Sequence, residues 1–231
     1  MYITMYYFLV FLFYSFIGYI VEMTALGIEN KKIANRGFLT GPIIPVFGIG
    51  VMLLISLLDN FKDNIFLVFI LGVIITGLVE NFTGLILEKI FHNKWWDYSH
   101  RKDNINGRLC WINLILFGIA AVIIVCYFHP WMINHFNKLS ELSVIILGWI
   151  LMALFIMDVA YSVMLAYKLR SKIIVVEKLK NEKIEIIKEK LLNIHLHELR
   201  FFRAFPHLSK SRVGSIIKER LENHKEKQKN R

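Results

Sequence analysis

Three acidic residues lie inside stretches that are otherwise apolar enough to cross a membrane: Glu22, Glu80 and Asp158. An ionised carboxylate facing hydrocarbon costs about 2.5 kcal/mol or more, so such residues face protein or water and are candidate functional residues. For Glu22 and Glu80 we favour a role in a site. For Asp158 we favour the alternative, in which the carboxyl group holds helices together through hydrogen bonds.

Two turns carry arginines, Arg36 and Arg108, that could meet the first two acids. Each turn leads into a predicted helix N-terminus, where unpaired N–H groups and the helix dipole favour an anion. Two interpretations stay open. The arginines neutralise Glu22 and Glu80 in closed ion pairs, or the four residues surround a cytoplasm-facing polar pocket for a charged substrate or lipid head group. The glycines of these turns allow close backbone approach and favour the pocket.

The composition predicts an all-α, polytopic membrane protein. The 231 residues are 56% apolar with a mean hydropathy of +0.50, and the apolar residues fall in runs of about 20, the length that crosses roughly 30 Å of hydrocarbon. Five runs qualify as transmembrane helices: Tyr6 to Gly27, Pro42 to Leu58, Ile65 to Leu87, Leu109 to Phe128, and Ser143 to Tyr167. The second run is short and begins with proline, so a re-entrant loop is the alternative.

The basic residues between the runs favour five spans and set the predicted orientation. With five spans, two loops rich in Lys and Arg fall on the same side as the tail, which the positive-inside rule makes cytoplasmic. The opposite side holds Lys62 and Lys138. We therefore expect a multi-pass protein of the cytoplasmic membrane with its N-terminus outside and its C-terminus inside. The first run lacks the basic start and cleavage site of a signal peptide, so we expect it to remain as a helix.

The excess positive charge lies in the C-terminal part of the chain. Residues 168–231 contain 18 Lys and Arg and 8 Asp and Glu, whereas residues 1–167 contain 10 of each. We predict a five-span transmembrane domain, residues 1–167, and a basic cytoplasmic tail, residues 168–231, helical to about residue 205 and then partly disordered. A basic amphipathic helix favours anionic lipid. Docking to a partner protein is the alternative, and the absence of an aromatic platform argues against nucleic acid.

Several motifs together resemble a known family. They are the acid in the first helix, Asn35 to Leu39 with Gly41-Pro42, then Glu80, Trp95 to Ser99, and Asn106-Gly107-Arg108. This combination, over roughly residues 5–132, is similar to the CmpB-like family of bacterial membrane proteins, described as "putative ABC-transporter type IV" permeases. The basic tail with Arg200 to Pro206 is also similar to the tails of many members. The resemblance implies a permease component of an ABC-type transporter, and it makes the matched polar residues the candidate substrate-binding site: Glu22, Asn35, Arg36, Glu80, Asp97, Asn106 and Arg108.

The sequence implies no cofactor or metal and does not favour an enzyme. Asp97 with His92 or His100 lacks further ligands at a known metal-binding spacing. No G-x-x-x-x-G-K-[ST] phosphate loop occurs, so ATP hydrolysis would come from a separate ATPase subunit, and five short spans suggest a homo-oligomer. We rank a permease component first and a non-catalytic membrane scaffold or regulator second. A membrane enzyme acting on lipid head groups comes third, because no nucleophile with its base can be placed.

Overall fold

The computed structural model describes residues 1–30, 37–91, 96–99 and 101–178, which form a helical bundle with one β-hairpin. In chain order the elements are α1 (Tyr2–Asn30), α2 (Pro45–Leu58), α3 (Ile65–Phe91), β1 (Asn104–Ile105), β2 (Leu109–Cys110), α4 (Trp111–Val122), α5 (His129–Phe136) and α6 (Glu141–Lys178). A π-helical segment, Ile123–Phe128, joins α4 and α5 into one continuous helix. The helix α6 continues past the predicted domain boundary at residue 167, and the rest of the predicted tail lies outside the described residues.

Within the described residues, four helical stretches are long and apolar enough to span a membrane: Tyr2–Ala25, Ile65–Ile90, Trp111–Phe136 and Glu141–Lys168. Hydrocarbon offers no partner for backbone N–H and C=O groups, so helices are the spanning structure that such sequences adopt. The polytopic all-α fold is therefore confirmed. The second predicted span differs from the others, because its apolar helix, Pro45–Phe61 with its final 3-10 turn, is shorter than the about 20 residues of a full crossing.

The short helix α2 begins level with the middle of α1. The Ile44 N–H donates to the Ser15 carbonyl at 3.1 Å. One turn later, Gly48 packs so closely on α1 that a Cβ atom would overlap the Ser15 hydroxyl. Val51 and Val10 then share a buried cluster. The helix α2 therefore runs antiparallel to α1 and fills one half of the bundle, which explains its length.

The long helices define the two ends of the bundle. Met5 packs on Gly148, and Phe11 meets the ring of Phe155 edge to face. Since the residue numbers of the contacting pairs increase in the same direction along both helices, α1 and α6 run parallel. The end at which α3 finishes, the hairpin lies and α4 begins is called the hairpin end below, and the opposite end, where α2 meets α3, is called the far end.

Small residues allow the helices to approach closely. A Cβ atom at Gly72 of α3 would lie 2.6 Å from that of Ala121, and one at Gly18 of α1 would overlap the Phe47 side chain. Gly18 of α1 and Gly72 of α3 therefore face protein.

The hairpin turns at Asn106-Gly107. These residues have φ values of 52° and 69°, and the Arg108 N–H donates to the Ile105 carbonyl at 3.1 Å, as in a type I′ turn. The Trp111 N–H then donates to the Asp103 carbonyl at 3.0 Å. The strand pairing thus passes directly into α4 and fixes the hairpin against the end of the bundle.

Candidate functional site

Five of the seven predicted site residues belong to the described part of the chain, and all five belong to elements that meet at or near the hairpin end. They are Glu22 on α1, Glu80 on α3, Asp97 before the hairpin, Asn106 in its turn and Arg108 directly after it. Asn35 and Arg36 lie outside the described residues.

Glu80 belongs to a polar network between α3, α4 and the loop that joins them. The Tyr98 hydroxyl donates a long hydrogen bond of 3.4 Å to Glu80 Oε1, and Asn113 Nδ2 donates to the Tyr98 hydroxyl at 2.9 Å. The Tyr98 backbone N–H donates to the Gly107 carbonyl at 2.8 Å, which ties the loop to the hairpin. Glu80 lies ten residues before the end of its apolar stretch at Ile90, about 15 Å along the helix.

The second oxygen of Glu80 is the least satisfied polar atom of this network. Glu80 Oε2 is buried and has no hydrogen-bond partner in the structure of the described residues. Glu22 lies within electrostatic range of both Glu80 and Tyr98. Burial, followed by the charges of Glu80 and Glu22, raises the pKa of the Tyr98 phenol above its usual value. Tyr98 is therefore a neutral hydroxyl that can donate and accept at once.

Arg108 pairs with a different acid from those considered in the sequence analysis. Its Nη2 and Nε atoms donate to Glu88 Oε2 at 2.8 and 3.1 Å. Glu88 lies eight residues beyond Glu80 on α3, about 12 Å closer to the hairpin end. Of the two interpretations left open, the one in which Arg108 neutralises Glu22 or Glu80 is therefore wrong for Arg108, because the hairpin fixes its guanidinium group at the level of Glu88.

Trp96 closes the space beside this ion pair. Its indole Nε1 donates to the Arg108 carbonyl at 3.1 Å, and its ring lies 3.3 Å from the position of a Cβ atom at Gly84. The absence of a side chain at Gly84 lets the indole lie this close to α3. Trp96 and Tyr98, which belong to the Trp95 to Ser99 motif of the sequence analysis, both make side-chain hydrogen bonds here.

Asp97 and Asn106 shape the backbone of the loop and the hairpin. Asp97 Oδ1 accepts from the Ser99 N–H at 3.0 Å, which is the bond of an Asx turn. Asn106 is exposed and takes the left-handed conformation that asparagine tolerates better than most residues. Both residues therefore have a local structural role.

A small polar cluster around Asp103 closes the base of the hairpin. The Cys110 thiol donates to Asp103 Oδ2 at 2.8 Å, and Arg101 Nε donates to Oδ1 at 3.1 Å. The hydrogen bond from the Cys110 thiol, followed by the hydrogen bond from Arg101, holds the pKa of Asp103 below its usual value, although desolvation acts to raise it. Cys110 is fully buried.

Asp158 lies in a second polar group, on α6. Its Oδ1 and Oδ2 atoms accept from the backbone N–H groups of Thr40 and Gly41, each at 3.0 Å. The Ser162 hydroxyl, one turn along, donates to Oδ1 at 3.3 Å. The carboxyl group therefore holds elements together through hydrogen bonds, as the sequence analysis favours, but its partners are a non-helical segment as well as a residue of its own helix.

Three residues of the hairpin end were missed by the sequence analysis: Glu88, Tyr98 and Asn113. Asn113 offered a signal, because it is an amide in the third position of an apolar helix. Among the residues that the structure describes, no group of three or more His, Cys, Asp and Glu side chains could hold a metal ion.

The helices, the acids within their apolar stretches and the hairpin together define a multi-pass α-helical membrane protein with polar side chains inside its bundle. The chain belongs to the family described as "Putative ABC-transporter type IV", whose model matches residues 9–163. This match confirms the resemblance noted from the motifs, and it extends beyond them to include Asp158. Searches of curated proteins and of solved structures gave no significant match.

Proposed function

We propose that this protein is a permease component of an ABC-type transporter and that Glu80 lies in a polar, cytoplasm-facing pocket for a charged substrate. The buried, unpartnered Oε2 atom of Glu80 is the observation that supports this proposal most directly. A carboxyl group inside a membrane bundle, with a second acid within electrostatic range, needs a proton, water or a positively charged group beside it. A hydrated pocket or a bound substrate would supply that partner.

The surroundings of Glu80 offer several kinds of contact to such a substrate. Tyr98 and Asn113 provide a hydroxyl and an amide, and Glu22 provides a second acid. Arg108 is engaged by Glu88, so the proposed recognition of an anionic group falls to Arg36, whose guanidinium would bind a phosphate or carboxylate in a forked geometry. Asn35, Asp97 and Asn106 complete the proposed binding set.

The proposal includes three kinds of partner. A separate ATPase subunit would supply the energy, since the printed sequence contains no phosphate-binding loop. It would dock at the hairpin end or on the tail. Anionic lipid would bind the basic tail. A homo-oligomer would complete the transport pathway, because a single copy of the bundle has few membrane-spanning helices.

The first test compares two acids of the same helix, Glu80→Gln and Glu88→Gln, in cells whose growth depends on the protein. We expect Glu80→Gln to reach the membrane in normal amount and to lower transport activity by about tenfold or more, the effect of losing a hydrogen bond to a charged group. Glu88→Gln, which removes only the charge of the ion pair, should keep most of the activity. Exposed Glu141→Gln on α6 is the neutral control. Affinity purification in mild detergent should recover an ATPase subunit with wild type and with both variants.

A non-catalytic scaffold is the second candidate, because two of the polar groups are satisfied within the protein. The Arg108 and Glu88 pair is closed, and both oxygens of Asp158 are bonded to backbone. A scaffold predicts full function for Glu80→Gln and Arg36→Lys, and loss of function on removal of the tail. That pattern, without a co-purifying ATPase, would replace the transport proposal.

A further inference from the structure

A stretch of non-helical backbone, residues 37–44, bridges α1 and α6, with Gly37 and Leu39 buried and Thr40 and Pro42 exposed. Leu39, within it, is 1% exposed. On one side the segment contacts Asp158 and Ser162 of α6, and on the other the Ile44 N–H donates to the Ser15 carbonyl of α1. Irregular backbone at membrane depth is stable only where protein or water satisfies its polar groups.

The depth of these contacts follows from the position of Asp158 on α6. Asp158 lies ten residues before Lys168, where the apolar stretch ends, so the carboxylate is about 15 Å from that end along the helix. Closer to the far end, α1 and α6 touch directly through Phe8, Phe11 and Phe155. At the level of Asp158, the non-helical segment bridges the two helices.

One carboxylate satisfies two consecutive N–H groups of this segment. Oδ1 accepts from Thr40 and Oδ2 from Gly41, each at 3.0 Å. The Thr40 N–H is also 3.0 Å from the Ser162 hydroxyl, which lies 3.1 Å from the Thr40 hydroxyl. Hydrogen bonds to an ionised acceptor are about twice as strong as neutral ones, and the bond from Gly41 is partly buried whereas the bond from Thr40 is exposed.

Gly41 is adapted to this arrangement. A Cβ atom at this position would lie 2.9 Å from Asp158 Oδ2, closer than side-chain atoms normally approach. The glycine therefore lets its own N–H reach the carboxylate, and any larger residue would push the two apart.

We propose that Asp158 is a positioning residue that anchors residues 37–44 within the membrane, and that loss of its carboxylate releases this segment without unfolding the bundle. The segment directly follows Asn35 and Arg36 in the chain. Any effect of the anchor on substrate binding rests on the proposed function, whereas the anchoring itself does not.

The test uses Leu39→Cys as a reporter of release. The full chain carries Leu39→Cys and Cys126→Ala, and it is compared with and without Asp158→Asn in native membranes. Asparagine keeps one oxygen but places an NH2 group against a backbone N–H. The fully buried Cys110 remains as an internal reporter of unfolding. N-ethylmaleimide labelling rates at positions 39 and 110 are followed by peptide mass spectrometry.

We expect the thiol at position 39 to be protected when Asp158 is present and to be labelled about tenfold faster or more with Asp158→Asn, since the segment then loses hydrogen bonds to a charged group. Cys110 should stay protected in both. Glu141→Gln, which removes a carboxylate from the exposed start of the same helix, should leave both rates unchanged.

Gly41→Ala gives an independent test, because it disturbs the same contact from the other side and keeps the carboxylate. It should also speed labelling at position 39. Protection of position 39 in both variants would overturn the proposal, and so would rapid labelling there while Asp158 is intact. Simultaneous labelling of positions 39 and 110 would overturn it as well, since the carboxylate would then support the whole bundle. None of these labelling rates depends on transport, so the anchoring proposal can fail while the proposed function holds, and the reverse.

Discussion

Arg108 and Glu88 join the hairpin to α3, and both side chains are partly exposed, at 26% and 32%. We predict that Arg108→Ala lowers the free energy of unfolding by about 1 kcal/mol, because exposed pairs contribute little but this guanidinium donates two hydrogen bonds to one oxygen. Arg108→Lys should recover part of the loss, since lysine keeps the charge but not the fork. Denaturant titration in mixed micelles measures the change.

A double-mutant cycle separates the ion pair from general effects of the substitution. Adding Glu88→Gln to Arg108→Ala should lower the free energy of unfolding little further, because the guanidinium partner of Glu88 is already absent. Lys102→Ala, at an exposed position of the same loop, is the control. Additive losses for Arg108 and Glu88 would show that the two side chains do not act as a pair.

At the same scale, the sequence identified the acids of the apolar helices but not their hydrogen-bond partners. Glu80 and Asp158 stood out because charges inside apolar runs are costly. Their contacts come from Tyr98 and from the Thr40 and Gly41 backbone, which a linear pattern could not place. The acid that pairs with Arg108 could not be identified from the sequence for the same reason. Glu80 and Glu88 lie only about 12 Å apart on α3, and the position of the hairpin decides which of them Arg108 reaches.

The helices themselves were predicted well from hydropathy, whereas the length of α2 required the tertiary structure. Its apolar run suggested a fifth span or a re-entrant loop. The structure has features of both, because a non-helical segment enters the bundle and α2 begins at the level of Ser15. The length of α2 depends on where the chain turns inside the bundle to begin this helix. Hydropathy gives no information about the position of that turn.

Two glycines of α2 provide a matched test of this packing. A Cβ atom at Gly48 would overlap the Ser15 hydroxyl and lie 2.7 Å from the Phe11 carbonyl, whereas one at Gly50 would lie 3.9 Å from Val79. We predict that Gly48→Ala destabilises the protein by about 1–3 kcal/mol through overpacking. Gly50→Ala should stabilise it by up to about 1 kcal/mol, because alanine is the better helix former.

Thermal unfolding in detergent, followed by circular dichroism, measures both glycine variants. The signs should be opposite although the two residues lie on the same helix and receive the same methyl group. Equal stability of Gly48→Ala and wild type would show that α2 does not pack on Ser15 as described, and that the half-length helix is held in another way.

At the scale of the whole molecule, charge and helix direction together predict how the bundle lies in the membrane. Because α1 and α6 run parallel, the N-terminus and the last described residues of α6 lie at opposite ends. The hairpin end carries Lys89, Arg101, Lys102 and Arg108, whereas the far end carries Lys62 and Lys138. Basic residues collect on the cytoplasmic side, so we expect the hairpin end to face the cytoplasm.

Single cysteines at two exposed turns test this orientation. Lys62→Cys lies at the far end and Asn106→Cys in the hairpin turn, each in a background with Cys110 and Cys126 replaced by alanine. In intact cells, a membrane-impermeant maleimide should label position 62, and it should label position 106 only after permeabilisation. Loss of the exposed Lys62 contact with Asp59 should cost little. The reverse pattern would place the hairpin and Glu80 toward the outside, and substrate would then reach the proposed pocket from the opposite face.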